Sequence, residues 1–186
     1  MKDKIIINGD VFVPMLTEEQ IAIRTKEISA RLSSDFEGKT PIFVGVLNGS
    51  FMFFSDVVRH FEGDCEVDFL KLSSYGEAKI SSGSVTLLKD LNCSIEGRHL
   101  IIVEDIVDSG LSVKYILDLI KEHNPASVSV VSLLVKPKSM QYDLKIDYIG
   151  FSIPSEFVIG FGLDYAQKYR NLRAVYVLSE DEKNGK

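Results

Sequence analysis

The stretch that decides the fold is Leu100-Ile101-Ile102-Val103-Glu104-Asp105-Ile106-Val107-Asp108-Ser109-Gly110-Leu111-Ser112. Four apolar residues end in two adjacent carboxylates, and an amphipathic stretch over 113–123 follows the loop. This order predicts a buried parallel strand, a short loop and the N-terminus of a helix. Backbone N–H groups and the helix dipole at such a junction favour an anion, typically phosphate.

Three carboxylates, those of Glu104, Asp105 and Asp108, lie beside the same loop and would repel a bare phosphate. A phosphorylated sugar with Mg²⁺ removes the conflict, because hydroxyl donors or a divalent cation would satisfy the acids. The alternative is an ordinary strand-to-helix turn capped by Asp108 or Ser109, with Glu104 and Asp105 solvated. A Walker loop is excluded, since no Gly-Lys-Ser/Thr follows.

Length and composition are typical of one α/β domain. The 186 residues can bury roughly 70% of the unfolded surface. A net charge of −6 without a basic stripe argues against nucleic acid as the main partner. No apolar run approaches ~18 residues, so no membrane span is expected, and the first residues lack a signal-peptide core. Cys65 and Cys93 are far apart and form no CxxC motif, so we expect neither a zinc site nor a disulfide framework, but a reducing cytoplasm.

Strand and helix patterns alternate through the middle of the chain. A capping box at 17–20 predicts a helix with Ile21, Ile28 and Leu32 on one face. The other predicted elements are a helix over 51–61 and strands over 42–47, 65–72, 85–88, 128–135, 148–153, 157–159 and 175–178. The polar stretch 73–84 is predicted to be a mobile loop, and 179–186 a frayed tail. The order favours a doubly wound, mostly parallel sheet with ligands beyond the carboxyl ends of its strands, at 48–49, 73–84, 104–112 and 136–137.

The decisive stretch resembles the signature of the type I phosphoribosyltransferases: apolar residues, two acids, two aliphatics, Asp, Thr or Ser, Gly, any residue, Thr or Ser. Along most of its length the chain resembles the hypoxanthine-guanine phosphoribosyltransferases, on five segments in order and Arg170 beyond: 46–53, 73–75, 103–112, 133–136 and 157–165. The resemblance implies a single domain over 1–186, with a small hood subdomain from the N-terminal segment and roughly 137–186. It also implies transfer of ribosyl 5-phosphate from phosphoribosyl pyrophosphate to N9 of hypoxanthine or guanine, giving IMP or GMP and pyrophosphate, with Mg²⁺.

The resemblance also implies roles for the decisive stretch. Glu104 and Asp105 would bind the ribose hydroxyls directly or through Mg²⁺. The backbone of 108–112 and the hydroxyls of Ser109 and Ser112 would hold the 5′-phosphate, with Gly110 and Leu111 between them. Asp108 would be the general acid/base beside N7 of the purine.

The other implied roles concern the purine, a second Mg²⁺, pyrophosphate and a lid. Lys136 would donate to the 6-oxo group of the purine, which an adenine amino group cannot accept. Phe157 would stack on the base, although an aromatic residue in such a run is more often core. Val158 and Asp164 would face the purine 2-position, and Asp164 would also bind a second Mg²⁺. Pyrophosphate would be bound by Asn48, Gly49 and Arg170. Ser74 and Tyr75 would lie on a lid.

One position departs from the family pattern. Many members have Lys or Arg where this chain has Asn48, before Gly49, so pyrophosphate affinity and any subunit contact there are open. The resemblance also implies a homodimer or homotetramer. Alternatives are a non-catalytic nucleotide sensor of the same fold and a xanthine-preferring enzyme. A transferase for pyrimidine, orotate or adenine is opposed by Lys136 and the segment 157–164.

Overall fold

The computed structural model describes residues 3–74 and 85–179. These residues form ten strands and three α-helices. The strands are β1 (Ile5–Ile7), β2 (Asp10–Leu16), β3 (Ile42–Leu47), β4 (Glu66–Ser74), β5 (Val85–Lys89), β6 (His99–Val107), β7 (Ser127–Val135), β8 (Tyr148–Ser152), β9 (Val158–Ile159) and β10 (Val175–Leu178). The helices are α1 (Glu18–Asp35), α2 (Phe51–His60) and α3 (Leu111–Lys121).

A six-stranded sheet in the order β5-β4-β3-β6-β7-β8 forms the centre of the molecule. All neighbouring pairs are parallel except β4 and β5, which are antiparallel. Strand β3 consists almost entirely of apolar residues and is buried along most of its length, as parallel strands covered on both faces are. The predicted fold class, a doubly wound and mostly parallel sheet, is confirmed.

Helices cover both faces of this sheet. Phe43, Ile101 and Val103 point to the face where α1 and α2 pack, while Ile42 and Ile102 point to the face that α3 covers. The alternation along each strand therefore builds two apolar cores, one on each side of the sheet. The predicted capping box is present, because the Thr17 hydroxyl accepts from Gln20 N at 3.1 Å and Thr17 N donates to Gln20 Oε1 at 2.9 Å.

A second, four-stranded antiparallel sheet has the order β1-β2-β10-β9. It joins residues near the start of the chain to residues near its end, and it is called the hood sheet below. The sequence patterns predicted no strands in the N-terminal segment. Asn8 and Gly9 link β1 and β2 with φ of 51° and 91°, the values of the hairpin turn that an Asn-Gly pair favours. That dipeptide between two apolar runs was the signal that could have revealed the hairpin.

Two predicted boundaries were wrong. Strand β6 does not end at Val103 but continues through both acids to Val107, because Ile106 and Val107 still pair with Leu134 and Val135 of β7. Strand β4 includes residues 73 and 74, which were assigned to a loop, because they pair with β5. Most of that loop, including Tyr75, and the tail beyond 179 lie outside the described residues.

Over the part of the chain described, no helix is both long and apolar enough to cross a membrane.

Candidate active site

The site lies where the chain order of the central sheet reverses. Strands β3 and β6 are neighbours, and the chain continues outward from them in opposite directions, to β4 and to β7. The carboxyl ends of such a strand pair open a crevice in which α/β proteins bind ligands. Here the crevice is a cavity of about 290 Å³. Its lining consists of Val46, Leu47, Gly49, Leu72 and every residue from Glu104 to Val113.

The loop between β6 and α3 is built to approach an anion. Gly110 is the N-cap residue of α3 and has a φ of 83°, and no side chain caps the helix from that position. The Ser109 hydroxyl accepts only a long bond, 3.4 Å, from Leu111 N. The first-turn N–H groups have no partner within the helix and so favour an anionic ligand. The structure does not have the alternative, an ordinary turn in which Asp108 caps the helix, because the N-cap residue is Gly110.

The two adjacent acids of β6 form a buried carboxylate pair. Glu104 is only 5% exposed, and Asp105 is partly buried. Burial, and then the charge of Asp105, raises the pKa of Glu104 well above its usual range. Burial also raises the pKa of Asp105 to about 6. Two interactions oppose this rise: Ile106 N donates a hydrogen bond to Asp105 Oδ1 at 3.0 Å, and Arg170 contributes its positive charge. Two desolvated carboxylates side by side favour a ligand that brings positive charge or hydroxyl donors.

This pair fits Mg²⁺, which prefers oxygen ligands and commonly takes one or two carboxylates together with substrate oxygens. Asp164, the other predicted metal ligand, does not line the cavity; it pairs with Arg170 at 2.8 Å and accepts from Gln167 N at 2.8 Å. Residues 3–74 and 85–179 contain no group of three or more His, Cys, Asp or Glu side chains that could hold a metal ion. Any ion at Glu104 and Asp105 would therefore depend on substrate oxygens for most of its ligands.

Lys136 and Asp108 form an ion pair beside the loop between β6 and α3. Lys136 Nζ lies 2.6 Å from Asp108 Oδ2, with 7% of the lysine side chain and 52% of the aspartate side chain exposed. Lys136 N also donates to Val107 O at 2.9 Å, which extends the pairing of β6 and β7 by one step. The pair presents a buried cation and an accessible carboxylate side by side.

The predicted stacking residue, Phe157, is 46% exposed and is therefore not plain core. Its ring meets Phe12 and Tyr165 edge to face, with centroids 6.2 and 5.9 Å apart. This aromatic cluster supports one edge of the Phe157 ring and leaves much of it free for a flat ligand. Val158, next along the chain, pairs with Val177 of β10, so its backbone is held in the hood sheet.

The predicted pyrophosphate residues lie on two segments. Asn48 is exposed and follows a cis peptide bond between Leu47 and Asn48, while Gly49 lines the cavity. Arg170 pairs with Asp164, and its Nη1 donates to Gly162 O at 2.9 Å. Ser74 ends β4 at the carboxyl edge of the sheet, and Tyr75, the other predicted lid residue, lies outside the described residues.

Sequence reasoning missed two features of the site. Leu72 lines the cavity because β4 runs past the last residue of β3; the uncertain end of that strand hid this. Gly162 approaches Gly49 so closely that a Cβ atom on it would overlap with the Gly49 carbonyl oxygen. The repeated glycines of the 160–162 segment were the only signal in the sequence.

The fold and the loop geometry define a phosphoribosyltransferase. A family model described as the phosphoribosyl transferase domain matches residues 15–166. The chain is 42% identical over 173 residues to a hypoxanthine-guanine phosphoribosyltransferase of Bacillus subtilis (strain 168), covering 93% of this chain and 96% of that protein. It is 43% identical over 176 residues to the protein of the same name from Streptococcus agalactiae serotype V, covering 95% and 98%.

Solved structures agree. A Bacillus anthracis hypoxanthine-guanine phosphoribosyltransferase superposes with a TM-score of 0.84 at 40% identity, over 89% of this chain and 98% of that one. A Staphylococcus aureus hypoxanthine phosphoribosyltransferase gives 0.85 at 40% identity, over 90% and 91%. The chain therefore belongs to the hypoxanthine-guanine phosphoribosyltransferase family.

Proposed function

We propose that this chain transfers the 5-phosphoribosyl group of phosphoribosyl pyrophosphate to N9 of hypoxanthine or guanine, forming IMP or GMP and pyrophosphate in purine salvage. The observation that carries the proposal is the ion pair of Lys136 and Asp108, 2.6 Å apart beside the phosphate loop. The O6 and N7 atoms of a 6-oxopurine are neighbours on one edge of the base. O6 accepts a hydrogen bond from a donor such as Lys136, and N7–H donates to a carboxylate such as Asp108. The relatives named above carry the same activity in their names.

In the reaction, N9 of the purine forms a bond to C1′ of the ribose. The bond from C1′ to the pyrophosphate oxygen breaks, and its electron pair leaves with pyrophosphate. Asp108 accepts the proton that the purine loses, through N7, and Lys136 stabilises the negative charge that gathers on O6. The carboxylates of Glu104 and Asp105 hold the ribose hydroxyls and stabilise the positive charge that develops at C1′.

The phosphate end of the substrate binds to the loop. The N–H groups of 108–112 and the hydroxyls of Ser109 and Ser112 hold the 5′-phosphate, with the dipole of α3 behind them. Gly110 and Leu111 contribute backbone only.

Mg²⁺ is the proposed cofactor, held by Glu104 and Asp105 with substrate oxygens, and at a second position by Asp164. When bound, it neutralises charge on the pyrophosphate leaving group. Asp164 would exchange its contact with Arg170 for that role, and Arg170 would turn to pyrophosphate.

In the hood, Phe157 stacks on the purine, and the backbone at Val158 and Asp164 meets its 2-position. Asn48 and Gly49 present their backbone to pyrophosphate. Ser74 and Tyr75 form part of a lid that excludes water, a role proposed from the resemblance alone.

We also propose a homo-oligomer, dimer or tetramer, in the cytoplasm. Phe51 on α2 and Val67 on β4 are 44% and 52% exposed, and a second copy would shield such side chains from water.

A coupled assay tests the proposal. The purified chain is mixed with phosphoribosyl pyrophosphate, Mg²⁺ and one base at a time: hypoxanthine, guanine, xanthine or adenine. We expect IMP and GMP to form and adenine to be essentially inactive. Preference for xanthine would revise the substrate, and binding of the substrates without any nucleotide formed would contradict the proposed reaction.

A further inference from the structure

The tip of the hood loop rests on the loop that follows β3. Gly162 has a φ of 99°, and a Cβ atom there would overlap with the carbonyl oxygen of Gly49. A Cβ atom on Gly49 would in turn overlap with Oδ2 of Asp105. Three parts of the site are therefore in direct contact: the hood, the loop at 48–49 and the carboxylate pair. Neither glycine leaves room for a side chain.

Hydrogen bonds within the hood fix the position of Gly162. Its N–H donates to Arg170 O at 2.9 Å, and its carbonyl accepts from Arg170 Nη1 at 2.9 Å. In the free protein the Arg170 side chain also pairs with Asp164 at 2.8 Å; the backbone bond from Gly162 N to Arg170 O does not depend on that side chain and stays when it turns to pyrophosphate. The adjacent Phe161 N donates to Leu172 O at 2.8 Å. Gly162 is thus clamped on the hood side, so the neighbour that must yield to any added atom is Gly49.

We infer that Gly162 is a positioning residue for the pyrophosphate subsite: its bare Cα surface sets how far Gly49 sits from Asp105, although the neighbouring hood residues bind the purine. The inference rests on the proposed function, which assigns Gly49 to pyrophosphate. It follows that a change at 162 alters pyrophosphate affinity before any purine is bound. It also follows that a purine bound in the hood changes the conformation or mobility of the backbone at 48–50.

Three glycine-to-alanine variants separate the contact from other causes. Gly162→Ala adds the overlap with Gly49. Gly9→Ala, in the turn between β1 and β2, has nearly the same backbone strain, with a φ of 91°, but open space around the added atom. Gly160→Ala has a φ of 94° and overlaps with Ala174 O inside the hood. Each variant is checked by circular dichroism and by its melting temperature.

Calorimetry measures the Kd for pyrophosphate in Mg²⁺ buffer without purine, and steady-state assays give kcat and KM. For Gly162→Ala we expect a Kd for pyrophosphate and a KM for phosphoribosyl pyrophosphate raised by about 10- to 100-fold, since misplacement by an ångström can cost that much. We expect kcat at saturation to stay within about threefold. Gly9→Ala should match the unsubstituted chain, and Gly160→Ala should raise the KM for hypoxanthine more than that for phosphoribosyl pyrophosphate.

An unchanged pyrophosphate Kd in folded Gly162→Ala, or an equal loss in Gly9→Ala, would overturn the inference. Should Gly162→Ala not fold, hydrogen exchange on the unsubstituted chain decides: hypoxanthine alone should change the exchange of the amides at 48–50, and no change overturns the inference. Failure of the proposed function looks different, because the unsubstituted chain would then make no nucleotide.

Discussion

Lys136 Nζ lies 2.6 Å from Oδ2 of Asp108, and strand pairing determines this contact. Val107 of β6 and Val135 of β7 are register partners in a parallel pair, so the next residue of each strand, Asp108 or Lys136, emerges beside the other. The lysine is almost fully buried while the aspartate is half exposed. In the free protein each side chain therefore neutralises the other. Under the proposed function a 6-oxopurine replaces both halves of this contact.

Substituting Asp108 by Asn should remove the proposed proton acceptor and keep the fold, including the loop between β6 and α3. We expect kcat to fall by about 10²- to 10⁴-fold, the usual range for a general acid/base, with little change in the KM for phosphoribosyl pyrophosphate. Asp118→Asn is the matched control, because Asp118 pairs with Lys114 at the same 2.6 Å on the exposed face of α3. A kcat for Asp108→Asn within a few-fold of normal would contradict the assignment.

Substituting Lys136 by Gln should relax the choice of base. An amide can accept as well as donate, whereas an ammonium group only donates. The unsubstituted chain should reject adenine by roughly 10⁴-fold in kcat/KM, as sites with a buried donor do. In Lys136→Gln we expect the ratio of hypoxanthine to adenine to fall by at least about tenfold. Comparable turnover of adenine by the unsubstituted chain would itself refute the role of Lys136.

The stability of the fold should depend on pH through Asp105. Its pKa of about 6 in the folded chain exceeds the roughly 3.9 of an unfolded chain, so the folded state holds its proton more tightly. This carboxyl group therefore lowers stability as the pH rises from about 4 to about 6, and the loss is complete above that. Asp105→Asn should raise Tm at pH 7.5 and not at pH 4, while activity is lost.

Thermal melts across pH 4–8 test this prediction, with Asp143→Asn as a control because Asp143 is exposed. A gain in Tm that is equal at every pH would point to a packing effect of the amide instead of ionisation.

Asn48 occupies a position where many family members carry a positive charge. Its side chain is exposed and makes no hydrogen bond within the part of the chain that the structure describes. Asn48→Lys should therefore add an ammonium group near pyrophosphate without breaking a local bond, contributing on the order of 1 kcal/mol. We expect a lower KM for phosphoribosyl pyrophosphate at low salt, a smaller gain at high salt, and an unchanged KM for hypoxanthine. A salt-independent increase would make Asn48 a structural residue of the loop.

Residues on consecutive parallel strands were predictable from the sequence. The apolar runs before Glu104 and Lys136 identified two buried strands, and the carboxyl ends of such strands meet at one edge of the sheet. Helix α1 was predictable for a similar local reason, since its capping box needs only residues 17–20. These features depend on patterns a few residues long.

Contacts between distant segments could not be predicted. The approach of Gly162 to Gly49 depends on how the hood packs on the central sheet, which no local pattern encodes. The length of β6 was underestimated because Glu104 and Asp105 look like loop residues, yet their backbone stays in the ladder with β7. Charged residues inside a strand are costly to bury, and here that cost falls on the two carboxylates of the site.

The hood sheet pairs β2, at residues 10–16, with β10, at residues 175–178. During synthesis on the ribosome the first of these strands emerges long before the second, and an isolated two-stranded hairpin is marginally stable in water. Strands β3, β4, β6 and β7 and the loop that joins β6 to α3 are complete once residue 135 has emerged. The loop that joins β6 to α3 is therefore translated long before β10, and the four-stranded sheet can form only after residue 178 has emerged.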